Sequence, residues 1–150
     1  MSIHFEHSIL VPQSPDDVFA TLDDFSATPK WLERCTGIEK LEPGPNSEGQ
    51  ALRYSYLEHG RAGVMEGRIS VREPGRRLSM IYVDKMMQVT VDFRMALHND
   101  GTELTHAVTI EPKTFFARLF SPMLRRQLPK QTVGAMEKLR GYLASISMKA

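Results

Sequence analysis

Residues 86–97 read MMQVTVDFRMAL. From Met87 onward every second side chain is apolar: Met87, Val89, Val91, Phe93, Met95 and Leu97. Gln88, Thr90, Asp92 and Arg94 fall between them. A period of two describes a strand with one face in a core and the other in water. Turn signals bracket it, Asp84-Lys85 before and Asp100-Gly101 after.

The turns extend the pattern outward, because a hairpin turn fixes which residues share a face. A two-residue turn at Asp100-Gly101 pairs Met95 with His106 and Phe93 with Val108, and puts Leu104 and Ile110 on the same face. A turn at Asp84-Lys85 adds Leu78, Met80 and Tyr82. One at Pro74-Gly75 adds Met65, Gly67, Ile69 and Val71. One at His59-Gly60 adds Leu52, Tyr54 and Tyr56. The opposite face collects Arg53, Glu66, Arg68, Arg72, Asp92, Arg94, Glu103 and Glu111. Four independent turns therefore agree on an antiparallel meander that is apolar on one side only.

Upstream, Ile3, Phe5, Ile9 and Val11 mark a first strand over Ile3–Val11. Ser14-Pro15-Asp16-Asp17 is a helix start, with a capping hydroxyl, a proline at the first position and acids at the positive dipole end. Thr28-Pro29 opens a second short helix carrying Trp31 and Leu32, and Gly37–Glu42 reads as a strand. Downstream, residues 115–146 carry an apolar stripe in steps of three and four, expected as one long helix. Ser121-Pro122 is a break or a fresh start in it, and Pro129 is expected to kink it.

Composition bounds the function classes. The 150 residues, with 41% hydrophobic and 25% charged side chains, suit a single soluble domain over 1–150. One cysteine, Cys35, excludes an internal disulfide and fits a reducing compartment. No segment reads as a signal peptide or a membrane span, so a cytoplasmic location is expected. Residues 113–150 hold eight Lys or Arg and one acid, Glu137. That basic helix is either a solvated face or a surface for transient membrane or protein contact through Arg118, Arg125, Arg126 and Lys130. No nucleic-acid partner is expected.

Seven strands at about 4.8 Å spacing make a sheet roughly 30 Å wide, and one helix is about 10–12 Å across. The sheet must curl around the helix, and such a concave apolar interior suits a ligand. The expected lining is Trp31; Tyr54 and Tyr56; Met65 and Ile69; Met80 and Tyr82; Val89, Val91, Phe93 and Met95; His106 and Val108; and, from the helix, Phe116, Phe120, Met123, Leu124, Leu128, Thr132 and Met136. A hinged segment Phe115–Leu128 is a candidate gate at its mouth.

These features together resemble the START-like, or SRPBCC, superfamily, whose fold is the helix-grip. The residues carrying the likeness are LVPQSPDDVFATLDD (10–24), TPKW (28–31), EPGRRL (73–78), GTELTH (101–106) and LRGYL (139–143), in the family's order along nearly the whole chain. The stretches HSILVPQSPDDVF (7–19) and WLERCTGIEKLE (31–42) are similar to its coenzyme Q-binding members, and that likeness fades after residue 45. The resemblance implies an α+β helix-grip fold: a seven-stranded curved antiparallel sheet around a long C-terminal helix, with two short helices between strands 1 and 2. It also implies a cavity for a small hydrophobic molecule, such as a lipid, quinone or polyketide-like aromatic.

No complete catalytic constellation accompanies it. His106 is the one candidate acid/base for a cyclase/dehydrase-type reaction, and the competing reading is a core histidine with its bonds satisfied. Tyr54, Tyr56 and Tyr82 could orient a carbonyl or phenol. His4 and His7 fall on opposite strand faces, as do His98 and His106, so no metal site is expected, and no cofactor motif is present. A binder or carrier is favoured over an enzyme, and an interaction module using the basic helix is the third reading.

Overall fold

The computed structural model describes residues 2–149, with side chains described through residue 147. Strand β1 (Ile3–Val11) leads into helix α1 (Pro15–Asp23) and a single 3-10 turn at Thr28–Lys30. Six strands follow: β2 (Cys35–Lys40), β3 (Ala51–Glu58), β4 (Arg61–Glu73), β5 (Arg77–Val83), β6 (Met87–His98) and β7 (Gly101–Pro112). Helices α2 (Phe115–Leu119) and α3 (Ser121–Lys149) close the chain. All seven strands form one antiparallel sheet in the order β1-β7-β6-β5-β4-β3-β2. It curves, and α3 packs along β1 and β7. This is the helix-grip arrangement.

The expected starts are present. Ser14 Oγ accepts a hydrogen bond from the Asp17 amide at 3.2 Å, with Pro15 at the first helical position. The second helix is shorter than expected: the 3-10 turn ends at Lys30, and Trp31 follows it. α3 begins afresh at Ser121 and runs unbroken through Pro129.

The hairpins show how register and face separate. At His59-Gly60 the turn is as read, Glu58 pairing with Arg61, and both turn residues adopt positive φ. The β6–β7 turn is Asn99-Asp100, one residue earlier than expected, with Asn99 supplying the positive φ. His106 therefore pairs with Phe93 rather than Met95. Gly101 lies in the strand, where a Cβ would collide with the Val11 carbonyl, so its smallness serves close packing rather than the turn. The β5–β6 connection is three residues, Asp84–Met86, held by the Asp84 carboxylate accepting from the amides of Met86 and Met87. Both displacements move partners by two positions, so every side chain keeps its face.

The β4–β5 hairpin departs by one instead. Pairing slips between Ile69 and Val71, a bulge that exchanges the faces of the residues beyond it. Arg72, expected in water, lies opposite buried Leu78 on the concave side. There its guanidinium donates to both Asp23 oxygens, at 3.1 and 2.8 Å, and sits 5.3 Å from the Phe19 ring centroid. Asn46 donates to the same carboxylate at 3.0 Å. The end of α1 is thereby tied to the sheet.

Burial alone would raise the Asp23 pKa, but the bonds from Arg72 and Asn46 and the nearby charge outweigh it and hold it below 3.8. A carboxylate with a depressed folded pKa stabilises the fold above its unfolded pKa and loses that contribution as pH falls through the folded value. Asp23→Asn is therefore expected to lower stability by about 1–3 kcal/mol at neutral pH. The deficit should shrink below pH 3.8. Urea unfolding at both pH values measures it, and an equal deficit in acid would contradict the pairing.

Candidate functional site

The buried residues form two clusters. The larger joins α1, Trp31, the middle of the sheet and α3 from Ala135 to Leu143. The smaller holds Ile3, Val108, Ile110 and Leu128. A cavity of about 180 Å³ is lined by members of both. For scale, an apolar cavity of roughly 150 Å³ accepts a benzene ring.

Two glycine–tyrosine pairs build one wall. Gly67 lies directly opposite Tyr82, and Gly63 opposite Tyr56. A Cβ on either glycine would overlap its partner's ring. The rings lie flat across bare backbone, as glycine in a strand permits. Tyr54 links them, 4.9 Å from the Tyr82 ring and 6.0 Å from the Tyr56 ring, centroid to centroid. A second aromatic run crosses the far strands: Trp31 meets Phe93 edge-on at 6.0 Å, and Phe93 stacks on His106 at 4.4 Å.

Among these apolar walls three buried polar atoms have no hydrogen-bond partner within the protein: Trp31 Nε1, Tyr82 Oη and His106 Nδ1. Buried polar groups are nearly always paired, so three around one cavity call for an explanation. The environment keeps them uncharged. Burial, reinforced by the positive charge of Arg34 and by His7 opposite it on β1, pushes the His106 pKa down to about 3. Burial likewise pushes Tyr54 up to about 12 and raises Tyr82 and Tyr56. Cys35 is buried, and its thiol is pushed up to about 11 by desolvation, which leaves little nucleophilic thiolate.

One edge of the cavity is charged. Arg34 Nη1 donates to Gln131 Oε1 at 2.8 Å, and Gln131 Nε2 donates to Glu58 Oε1 at 3.1 Å. This chain of bonds joins α3 to the end of β3 and to the segment before β2. Among the described residues no group of three or more His, Cys, Asp or Glu side chains converges to hold a metal ion. No helix there is long and apolar enough to cross a membrane.

Of the candidates named from sequence, Trp31, Tyr54, Tyr56, Met65, Met80, Tyr82, Val89, Val91, Phe93, His106, Val108, Leu124, Leu128 and Thr132 line this cavity. Six do not. Ile69, Met95 and Met136 are buried within the larger cluster, in solid packing. Phe116, Phe120 and Met123 face solvent. The stripe predicts one helix, but α2 ends at Leu119 and α3 starts at Ser121, so the first turns point elsewhere. The sequence reading also missed Leu22, Phe25, Thr28, Leu32, Arg34, Ile38, Glu58, Asp84, Met87, Ile110, Gln131 and Ala135. Glu58 and Ile110 had a signal, since face alternation along β3 and β7 already places them inward.

The curved seven-stranded sheet and the grip of α3 define a START-like protein. A family described as polyketide cyclase/dehydrase and lipid transport matches residues 2–144, and the chain belongs to that family. Similar solved structures include the Zhui aromatase/cyclase from a Streptomyces species, with TM-score 0.79 and 17% identity over 96% of this chain and 94% of that one. A START superfamily protein from Mycobacterium smegmatis gives 0.78 and 17% over 95% and 98%. The di-domain ARO/CYC StfQ of the steffimycin biosynthetic pathway gives 0.78 and 17% over 98% of this chain and 52% of that one. At such identities the likeness shows the shared fold. No curated protein matches the sequence.

Two outcomes follow from this geometry. Gly67→Ala should force the Tyr82 ring off the strand and cost about 1–3 kcal/mol in urea unfolding, as overpacking does. An unchanged stability and tyrosine near-UV spectrum would remove the pairing from the account. For His106, the native state excludes a proton that the unfolded chain binds below pH 6.5, so stability falls as pH drops from 6.5 towards 3. The slope from this group is at most roughly 1.4 kcal/mol per pH unit. His106→Gln should flatten the pH dependence of Tm between pH 6.5 and the carboxylate range. Parallel profiles for the two proteins would mean that His106 is not held neutral.

Proposed function

We propose that this protein binds or carries a small, mostly apolar molecule bearing one polar group, such as a lipid, quinone or polyketide-like aromatic, between the sheet and α3. The observation that carries this is the set of unpaired Trp31 Nε1, Tyr82 Oη and His106 Nδ1 around an otherwise apolar space. Apolar contact supplies affinity at about 25 cal/mol per Å² buried. The three polar atoms supply orientation: the indole N–H donates, the tyrosine hydroxyl donates or accepts, and the imidazole nitrogen does either according to tautomer. A carbonyl or phenolic oxygen meets that set. Met65, Met80 and Met87 line the cavity and can rearrange around larger ligands.

The alternative is a cyclase or dehydrase using His106 as acid/base. Two observations weigh against it. A histidine with a pKa of about 3 is a weak base at neutral pH, far from the match between pKa and working pH that proton transfer favours. Among the described residues no carboxylate accepts from its Nδ1, so the bond that would orient it as a base is missing. The family membership admits both readings, and cytoplasmic carriage accords with the single buried cysteine.

The test is a pair of probes of similar shape, a naphthol and a methylnaphthalene, titrated into the purified protein by NMR. The naphthol is expected to bind at least tenfold more tightly, because only it satisfies the buried polar atoms. Its preference should vanish in Tyr82→Phe/His106→Leu, while the methylnaphthalene keeps its affinity. Absence of binding by both probes, with no apolar adduct in native mass spectra, would overturn the proposal.

A further inference from the structure

We infer that the corner formed by α2 and the start of α3 is a docking surface for an anionic lipid membrane. Five large apolar side chains crowd nine residues there and face solvent: Phe115 is 70% exposed, Phe116 67%, Leu119 57%, Phe120 54% and Met123 47%. The Phe115 and Phe116 rings touch edge-on, with centroids 6.2 Å apart. The other exposed apolar residues, including Leu10, Leu41 and Leu97, lie apart on strands and loops, and Leu57 and Val64 make no more than a diagonal pair across β3 and β4, which needs no explanation. A contiguous cluster does.

Charge selects the occupant. Lys113, Arg118, Arg125, Arg126 and Lys130 are all exposed, and residues 113–136 contain no acid. Aromatic and aliphatic groups for insertion, on a segment whose charged side chains are all basic, complement a bilayer with anionic headgroups; the neighbouring acid is Asp84, whose backbone carbonyl accepts from Lys113 Nζ. Each basic side chain near such a surface adds about 1 kcal/mol of attraction. A docking protein would instead have to supply both a matching apolar pocket and a wholly acidic rim.

The place in the fold gives the contact a purpose. Leu124 and Leu128, further along the same helix, line the cavity. So do Asp84 and Met87 of the β5–β6 turn, whose Met86 carbonyl accepts from the Lys113 amide at 2.8 Å, just ahead of α2. A membrane at this corner lies beside the cavity edge. The docking goes beyond the ligand reading and does not depend on it.

Co-sedimentation of the full chain with vesicles tests this, using phosphatidylcholine alone and equal parts phosphatidylcholine and phosphatidylglycerol. Binding is expected to the mixed vesicles and to weaken with added salt. Phe116→Ser/Phe120→Ser should lower vesicle affinity roughly tenfold or more without changing Tm, since both side chains already face water. Arg118→Glu/Arg126→Glu should abolish the preference for phosphatidylglycerol. Failure of the full chain to bind either vesicle overturns the inference, as does binding that both variants leave unchanged. A dimer in analytical ultracentrifugation that Phe116→Ser/Phe120→Ser dissociates, with vesicles left unbound, would also overturn it and assign the patch to self-association.

Discussion

A sheet that is apolar on one face only, and several times wider than the helix that must cover it, governs this molecule. Flat, it would leave most of its inner face wet. The chain resolves the mismatch by curving the sheet along α3 and laying α1 over β5, β6 and β7. The bulge after Ile69 belongs to the same solution. Bulges bend the strand that carries them. This one also turns Arg72 inward to reach Asp23, so one extra residue shapes the sheet and fastens the covering helix. Val18, Phe19 and Leu22 of α1 are buried against the sheet. Packing is incomplete between the two buried clusters, and there the cavity lies.

How far the sequence can be read follows from the strand period. The β6–β7 and β5–β6 turns were each placed so that partners differ by two positions from those observed, yet Val89, Val91, Phe93 and His106 still face inward. Parity survives an even error. It does not survive an odd one, and nothing in Ile69-Ser70-Val71 announces a bulge. The uninterrupted period of two therefore points Arg72 to water, and the bulge turns it inward. The helical part was harder. A 3.6-period stripe fixes a face only while the helix is continuous, and the reset at Phe120 sent Phe116, Phe120 and Met123 outward. The cavity residues contributed by α1, the 3-10 turn and the link between them, Leu22, Thr28 and Phe25, depend on tertiary docking that no local pattern encodes.

The burial that shapes the cavity also sets its chemistry. Desolvation opposes charge on either side of neutrality, so it pushes the imidazole down and the phenols up. The result is an interior of neutral donors and acceptors: His106 deprotonated, Tyr54 and Tyr82 protonated. Such groups recognise a ligand's polar atom well and exchange protons poorly. The charges stand at the edge, in the Arg34–Gln131–Glu58 chain, where water is within reach. Arg34 acts on the interior at a distance, its field helping to hold His106 neutral.

The unpaired atoms carry a thermodynamic consequence. A buried polar group without a partner costs about 1–3 kcal/mol. Trp31 Nε1, Tyr82 Oη and His106 Nδ1 together are a large debit against the roughly 5–15 kcal/mol by which domains are stable. An apolar core of the same shape would be more stable and would need only Phe in place of Tyr82 and Leu in place of His106. On the binding reading proposed above, these three groups, and the glycines beneath Tyr82 and Tyr56 that seat their rings, are kept for contacts with a ligand. Ligand binding should then stabilise the protein by more than apolar burial alone provides, because it pairs atoms that folding has already desolvated.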